Sequence, residues 1–106
     1  NYVSDVVTAL LLVAAAPQAD GEIYNLGGAE QISLLEVAQL LLQLNPQAPP
    51  FRIVPFPPEN KRIDIGDYYA DYRKITAALG WEPQVPLREG LQRTVDFYRE
   101  YKEHYW

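Results

Sequence analysis

One run, Lys61-Arg62-Ile63-Asp64-Ile65-Gly66-Asp67-Tyr68-Tyr69, gathers cations, carboxylates and tyrosines that can grip a ligand or move a proton. Lys61 and Arg62 supply donors for a phosphate, and a guanidinium can grip one through two parallel hydrogen bonds. Asp64 can accept from two vicinal hydroxyls, as on a ribose or hexose. Tyr68 and Tyr69 offer flat faces and hydroxyls. Such a patch suits a ligand with a phosphate, a sugar hydroxyl and a flat base. The plainer reading is a solvated charged loop with two core tyrosines. Asp64 and Asp67 also form a carboxylate pair, but paired acids are common on solvated loops, and acid–base catalysis asks more of them than proximity.

Other chemistries lack their residues. The chain has no cysteine, which removes disulfides, thiol catalysis and cysteine zinc sites. That is compatible with the cytoplasm, the expected location. The single histidine, His104, lies beside the C-terminus and reads as solvated. Without a His or Cys cluster no transition-metal site is expected. A net charge of −5 argues against nucleic-acid binding, yet two or three local cations can still hold a small anion. Gly27-Gly28 is not a dinucleotide loop, because that loop wants three spaced glycines directly between strand and helix. Here four residues intervene before Ser33, so a turn is expected.

The elements that must position the patch follow from pattern. The 106 residues fit one domain, and 48% apolar with 22% charged residues is a globular composition. Asp5 is an expected N-cap for a helix starting at Val6 and apolar on almost every face. No basic segment precedes it and no apolar run reaches a membrane span, so it reads as a buried helix whose cover comes partly from another domain or subunit. Pro17 ends it. Residues 22–26 read as a short strand. Ser33-Leu34-Leu35-Glu36 is a capping box opening a helix with apolar positions Leu34, Val37, Ala38, Leu41 and Leu44. Residues 51–54 read as a strand, Pro55, Pro57 and Pro58 as a stiff extended loop, and residues 63–65 as a brief strand. Asp71 caps a helix ending at Gly80, and a last helix runs from about Leu87 to Tyr101. Gly90 inside that helix costs roughly 1 kcal/mol relative to Ala, a cost that close packing would explain.

Several landmarks together carry a resemblance. They are Asn1-Tyr2-Val3-Ser4-Asp5-Val6-Val7, Gly21-Glu22-Ile23-Tyr24-Asn25-Leu26-Gly27-Gly28 and Ile32-Ser33-Leu34-Leu35-Glu36, followed by Ala70-Asp71-Tyr72-Arg73-Lys74, Leu79-Gly80-Trp81-Glu82-Pro83 and Leu87-Arg88-Glu89-Gly90-Leu91. In this order they resemble the C-terminal segment of the extended short-chain dehydrogenase/reductases, whose members include NAD-dependent sugar-nucleotide epimerases and dehydratases. The resemblance implies an α/β fold: a small substrate-binding domain over residues 1–106, with about four helices and two or three short strands, detached from its Rossmann domain.

The resemblance also implies roles. The family's Arg-x-x-Asp register places Lys61 at the position that contacts the nucleotide's pyrophosphate and Asp64 at the one that takes a ribose hydroxyl. Lys61 keeps the charge and loses the bidentate fork; Arg62, one place on, is a substitute. Tyr68 matches a position near the hexose. The implied substrate-binding residues are thus Lys61, Arg62, Asp64 and Tyr68, and the implied partner is a nucleoside diphosphate sugar. The glycine-rich NAD loop and the catalytic Tyr-x-x-x-Lys belong to an N-terminal Rossmann domain. None of the eight tyrosines here has a lysine four residues later. The chain is therefore expected to be part of a UDP-glucose 4-epimerase-like enzyme, to supply orientation rather than chemistry, and to bind no NAD itself. Its partners would be that Rossmann domain and the nucleotide sugar, with no nucleic acid or membrane. A rival reading is a non-catalytic interaction domain using the apolar first helix and the aromatic last one; self-association through the same faces is a third.

Overall fold

The computed structural model describes residues 1–105. Five α-helices occur in it: α1 (Val3–Ala15), α2 (Leu34–Leu44), α3 (Pro58–Lys61), α4 (Arg73–Leu79) and α5 (Leu87–Glu100). Short 3-10 turns follow α1 at Pro17–Ala19 and α5 at Lys102–His104.

The helices gather around Trp81. Its side chain is buried with Ile75 of α4 and Ala9 of α1, and Val13, Tyr24, Leu26, Tyr72 and Leu79 pack around them. Tyr72 meets the indole edge to face, 5.9 Å between centroids, a favoured aromatic geometry. A buried indole N–H needs an acceptor, and Trp81 Nε1 donates to the Asp5 carbonyl at 2.9 Å. Gly80 delivers Trp81 to this place. It takes the left-handed conformation (φ 68°) that ends α4, and its N–H closes on the Thr76 carbonyl at 2.8 Å. Thr76 Oγ1 then donates to the Trp81 carbonyl at 2.8 Å.

Asp5 has a different job from the expected one. Helix α1 starts at Val3, with Tyr2 as its uncapped first boundary. Asp5 lies inside the first turn and is buried, and its Oδ2 accepts from the Gln84 and Val85 N–H groups at 3.1 and 3.0 Å. A carboxylate that could have capped its own helix instead ties α1 to the turn before α5. Gly90 has the expected explanation: a Cβ there would meet the Tyr2 ring at 3.2 Å. Arg93, ion-paired with Glu89, lays its guanidinium over that same ring. Helix α2 begins at the Ser33–Glu36 capping box as expected, with all three reciprocal bonds formed. It packs beside α5, where Arg88 donates to Gln43 and Arg99 to Asn45.

The α/β expectation is corrected: among the described residues there is no strand. Residues 22–26, 51–54 and 63–65 carry the β-branched and aromatic types that favour strands, but no neighbouring chain pairs with them. A strand exists only through a ladder with a partner, so composition alone does not make one. Ile53 and Ile65 are 74% and 80% exposed. The proline-rich loop holds a further departure. Pro58 opens α3, since a first helical turn leaves its N–H groups unpaired and tolerates proline.

Helix α1 is covered on one side only. Asp5 and Ala9 are buried, but Val3, Val7, Leu10 and Leu11 share an outward face and Leu10 is 63% exposed. The same openness shows in the dimensions. The radius of gyration is 17.2 Å, against about 13 Å for a compact domain of this length. The accessible surface is 8695 Å², against roughly 6000 Å² for a compact monomer of this mass. No helix among the described residues is long and apolar enough to cross a membrane.

Helix α4 begins two residues after its expected cap. Tyr72 is the boundary residue, and Asp71 instead accepts from the Arg73 N–H at 3.0 Å and forks onto the Arg73 guanidinium at 2.6–3.0 Å. The Arg73 side-chain bonds, then its backbone N–H, hold the Asp71 carboxyl down at about 2 instead of 3.8.

Two outcomes follow. Asp5→Ala removes the acceptor of two inward N–H groups and should lower unfolding stability by about 3 kcal/mol, with Asp5→Asn losing less; an unmoved urea midpoint for the alanine variant would refute the tie to residues 84–85. A carboxyl depressed on folding stabilises above its unfolded value near 3.8 and loses that contribution as pH falls through about 2. A carbon-detected titration should therefore place the Asp71 midpoint near 2, and Arg73→Ala should return it toward the ordinary range.

Candidate functional site

The run 61–69 lies on an arm, residues 51–69, that is exposed throughout. Lys61 closes α3 and Arg62 follows it, both held by the local turn that Pro57 starts. Asp64 Oδ1 accepts from the Gly66 N–H at 3.1 Å, a turn-forming bond that lets Gly66 adopt its φ of 74°. One carboxylate oxygen is thus engaged in shaping the loop.

Tyr68 and Tyr69 bring the arm back to the body. With Ala70 and Tyr72 they form one side of a cleft of about 400 Å³. Leu26, Gly27, Gly28 and the loop through Ile32 form the other. Gly27 is required at this junction, because a Cβ there would stand 2.6 Å from the Ala70 carbonyl oxygen. Tyr68 is 68% exposed and lines the cleft. Lys61, Arg62 and Asp64 are not among the residues lining this cleft. The structure therefore joins Tyr68 to a concave site and leaves the three other sequence candidates along the arm that leads to it.

A second cavity, about 470 Å³, lies behind the same loop. It is lined mainly by Tyr2, Ile32, the turn 83–87 and α5 at Gly90, Leu91 and Thr94. Residues 28–30 and Ile32 line both spaces, so the loop is a partition between them.

Two polar groups hold this region through partners that residue types do not reveal. Lys74 reaches from α4 to Glu22 Oε2 at 2.7 Å and to the Ile23 carbonyl at 2.9 Å, with its ammonium also 5.1 Å from the Tyr24 ring centre. The Lys74 hydrogen bond and charge draw the Glu22 carboxyl below its usual range. The lysine of the Asp71-x-x-Lys74 motif thus fastens residues 22–26, which lead into Gly27, to the helix that carries Ile75. The second group is Glu30, whose Oε1 accepts from the Leu87 N–H at 2.9 Å. Lys74 was visible as part of a motif, though not its target; Glu30 sends no local signal, because its partner is 57 residues away.

The loop lacks the three spaced glycines of a dinucleotide loop: Gly27 is packed on Ala70, and the N–H groups of Ser33 and Glu36 are engaged in the capping box. Among the described residues no group of three or more His, Asp or Glu side chains could hold a metal ion.

No protein-family model matches the chain, and no solved structure does. Curated proteins do match. UDP-glucuronic acid decarboxylase 1 of Danio rerio is 36% identical over 107 residues, covering 98% of this chain and 23% of its own length. The dTDP-D-glucose 4,6-dehydratase of Bos taurus is 36% identical over 109 residues, covering 99% of this chain and 30% of its own length. The dTDP-glucose 4,6-dehydratase of an Actinoplanes strain is 38% identical over 98 residues, covering 92% and 29%. The chain thus spans less than a third of the length of these relatives. The landmarks from Tyr2 to Gly90 that build the Trp81 core lie within a similarity running nearly end to end, and the chain belongs to the extended short-chain dehydrogenase/reductase family, matching the C-terminal part of its members.

Proposed function

We propose that this chain is the nucleotide-sugar-binding part of an NAD-dependent dehydratase, decarboxylase or epimerase. The observation that carries the reading is the near end-to-end similarity to two kinds of enzyme, both named for nucleoside diphosphate sugars. The Tyr68 cleft supports it, since it offers a ring face beside a concave wall of backbone. In this reading Lys61 and Arg62 meet the pyrophosphate, Asp64 uses its unengaged oxygen on a ribose hydroxyl, and Tyr68 lies against the sugar or base. These contacts orient the substrate and exclude water; they move no proton and make no bond to it. The redox chemistry that NAD supplies belongs to a dinucleotide-binding domain, for which the relatives' greater length has room, and no residue here is assigned to it.

The outward face of α1 supports a related partner. Val3, Val7, Leu10 and Leu11 form an uncharged stripe that a preceding domain would cover. The same stripe is what favours the rival reading, a non-catalytic interaction module. The coding sequence upstream separates the two: a three-glycine loop and a Tyr-x-x-x-Lys there support the enzyme, and their absence supports the module.

Isothermal titration with UDP-glucuronic acid and dTDP-glucose tests the site. This chain alone should bind weakly, with a Kd of about 1 mM or above, because only part of the site is present. In the longer polypeptide, Lys61→Ala with Asp64→Ala should weaken binding at least about tenfold. Wild-type affinity in that double variant would sink the assignment.

A further inference from the structure

The loop 28–32 separates two cavities, and its attachments are few. At its start Gly27 is wedged against Ala70, while Gly28 has open space where a side chain would be. At its end Ser33 is fixed by the capping box. Between these anchors no backbone hydrogen bond holds residues 28–32 among those described. One polar tie crosses the gap, from the Leu87 N–H to Glu30 Oε1.

The tie has a physical reason on both sides. Helix α5 begins after Pro86, which has no side-chain acceptor, so the helix lacks a cap of its own. Fourteen aligned peptides place partial positive charge at that end, and a carboxylate is the favoured partner for it. Glu30 supplies from a distant loop the acceptor that Pro86 cannot. The same bond pins the partition at its middle residue, with the Tyr68 cleft on one side and the apolar cavity along α5 on the other.

We propose that Glu30 is a positioning residue that latches the 28–32 partition to the N-terminus of α5 and so sets the width of the Tyr68 cleft. Its consequence for ligand rests on reading that cleft as the nucleotide-sugar site, but the latch does not. With the latch closed the cleft has a fixed far wall. With it released the loop swings on Gly28 and the two cavities join.

Nitrogen-15 relaxation and amide exchange on this chain decide the latch without any ligand. In the wild type the order parameters of Ala29–Gln31 should be near those of the helices, about 0.85, and in Glu30→Ala they should fall below about 0.6. The Leu87 amide should exchange about tenfold faster in Glu30→Ala, while amides from Leu91 onward keep their protection. Glu30→Gln, which retains an acceptor oxygen, should restore most of both. The proposal is overturned if the loop is already mobile in the wild type, or if Glu30→Ala leaves it rigid. It is equally overturned if protection is lost along all of α5, which would make Glu30 a helix stabiliser. Titration with UDP-glucuronic acid then addresses the cleft separately: a wild type that does not bind overturns the ligand reading and leaves the latch standing on its relaxation data.

Discussion

Burial of Trp81 is the constraint on which the rest depends. The indole fills the junction of α1 and α4 and brings an N–H that needs an acceptor, and the Asp5 carbonyl provides it. That bond joins residues 76 positions apart. The Asp5 side chain extends the same junction by gripping the turn at Gln84 and Val85, which sets where α5 starts. Once α5 is placed, Gly90 allows Tyr2 to close over it, and the first N–H of α5 faces Glu30. One buried aromatic side chain therefore orders the first helix, the last helix and the loop between the cavities.

The candidate site is built outward from this junction. Helix α4 carries Ile75 into the core and turns Lys74 toward residues 22–23, so the segment ending in Gly27 is fastened to the same helix that supports Trp81. Gly27 then lets the backbone at Ala70 come close, and Tyr68 and Tyr69 follow at the rim of the cleft. By contrast, the hydrogen bonds described for residues 51–66 stay within their own turns, and every one of these residues is exposed. Their apolar side chains face solvent together with the outer face of α1. A chain with this much uncovered apolar surface buries less than a compact domain of its size.

Much of the local architecture was legible in residue types. The Ser33–Glu36 box, the stop at Gly80 and the span of α5 follow from short-range rules, because capping and left-handed turns involve groups a few residues apart. Gly90 was legible as a point of close approach, although Tyr2 as its neighbour was not. Asp5 misled for one reason: its carboxylate, of a type that caps helices, is taken by the N–H groups of residues 84–85. Asp71 does accept from the N–H of Arg73, the first residue of α4, but from one position before the helix boundary. The strands misled for another. Residues 22–26, 51–54 and 63–65 have strand composition, yet a ladder needs a second edge, which local sequence does not supply.

Residue types at short spacing were enough for α1, α2, α4 and α5, for the stop at Gly80, for the capping box and for the family landmarks, but not for α3, whose prolines read as an extended loop. Tertiary structure alone decided which polar groups became fasteners and where the concave surface lies. Lys74 reaches back 52 residues to Glu22, and Glu30 reaches forward 57 to Leu87. Such pairings are selected by how the packed helices happen to face one another, and no periodicity records them. For the same reason the patch at 61–69, the most chemically suggestive run in the chain, is divided in the folded structure. Tyr68 reaches a cleft because Gly27 and Ala70 hold its base, whereas Lys61, Arg62 and Asp64 stay on an arm that this chain's own packing does not fold inward.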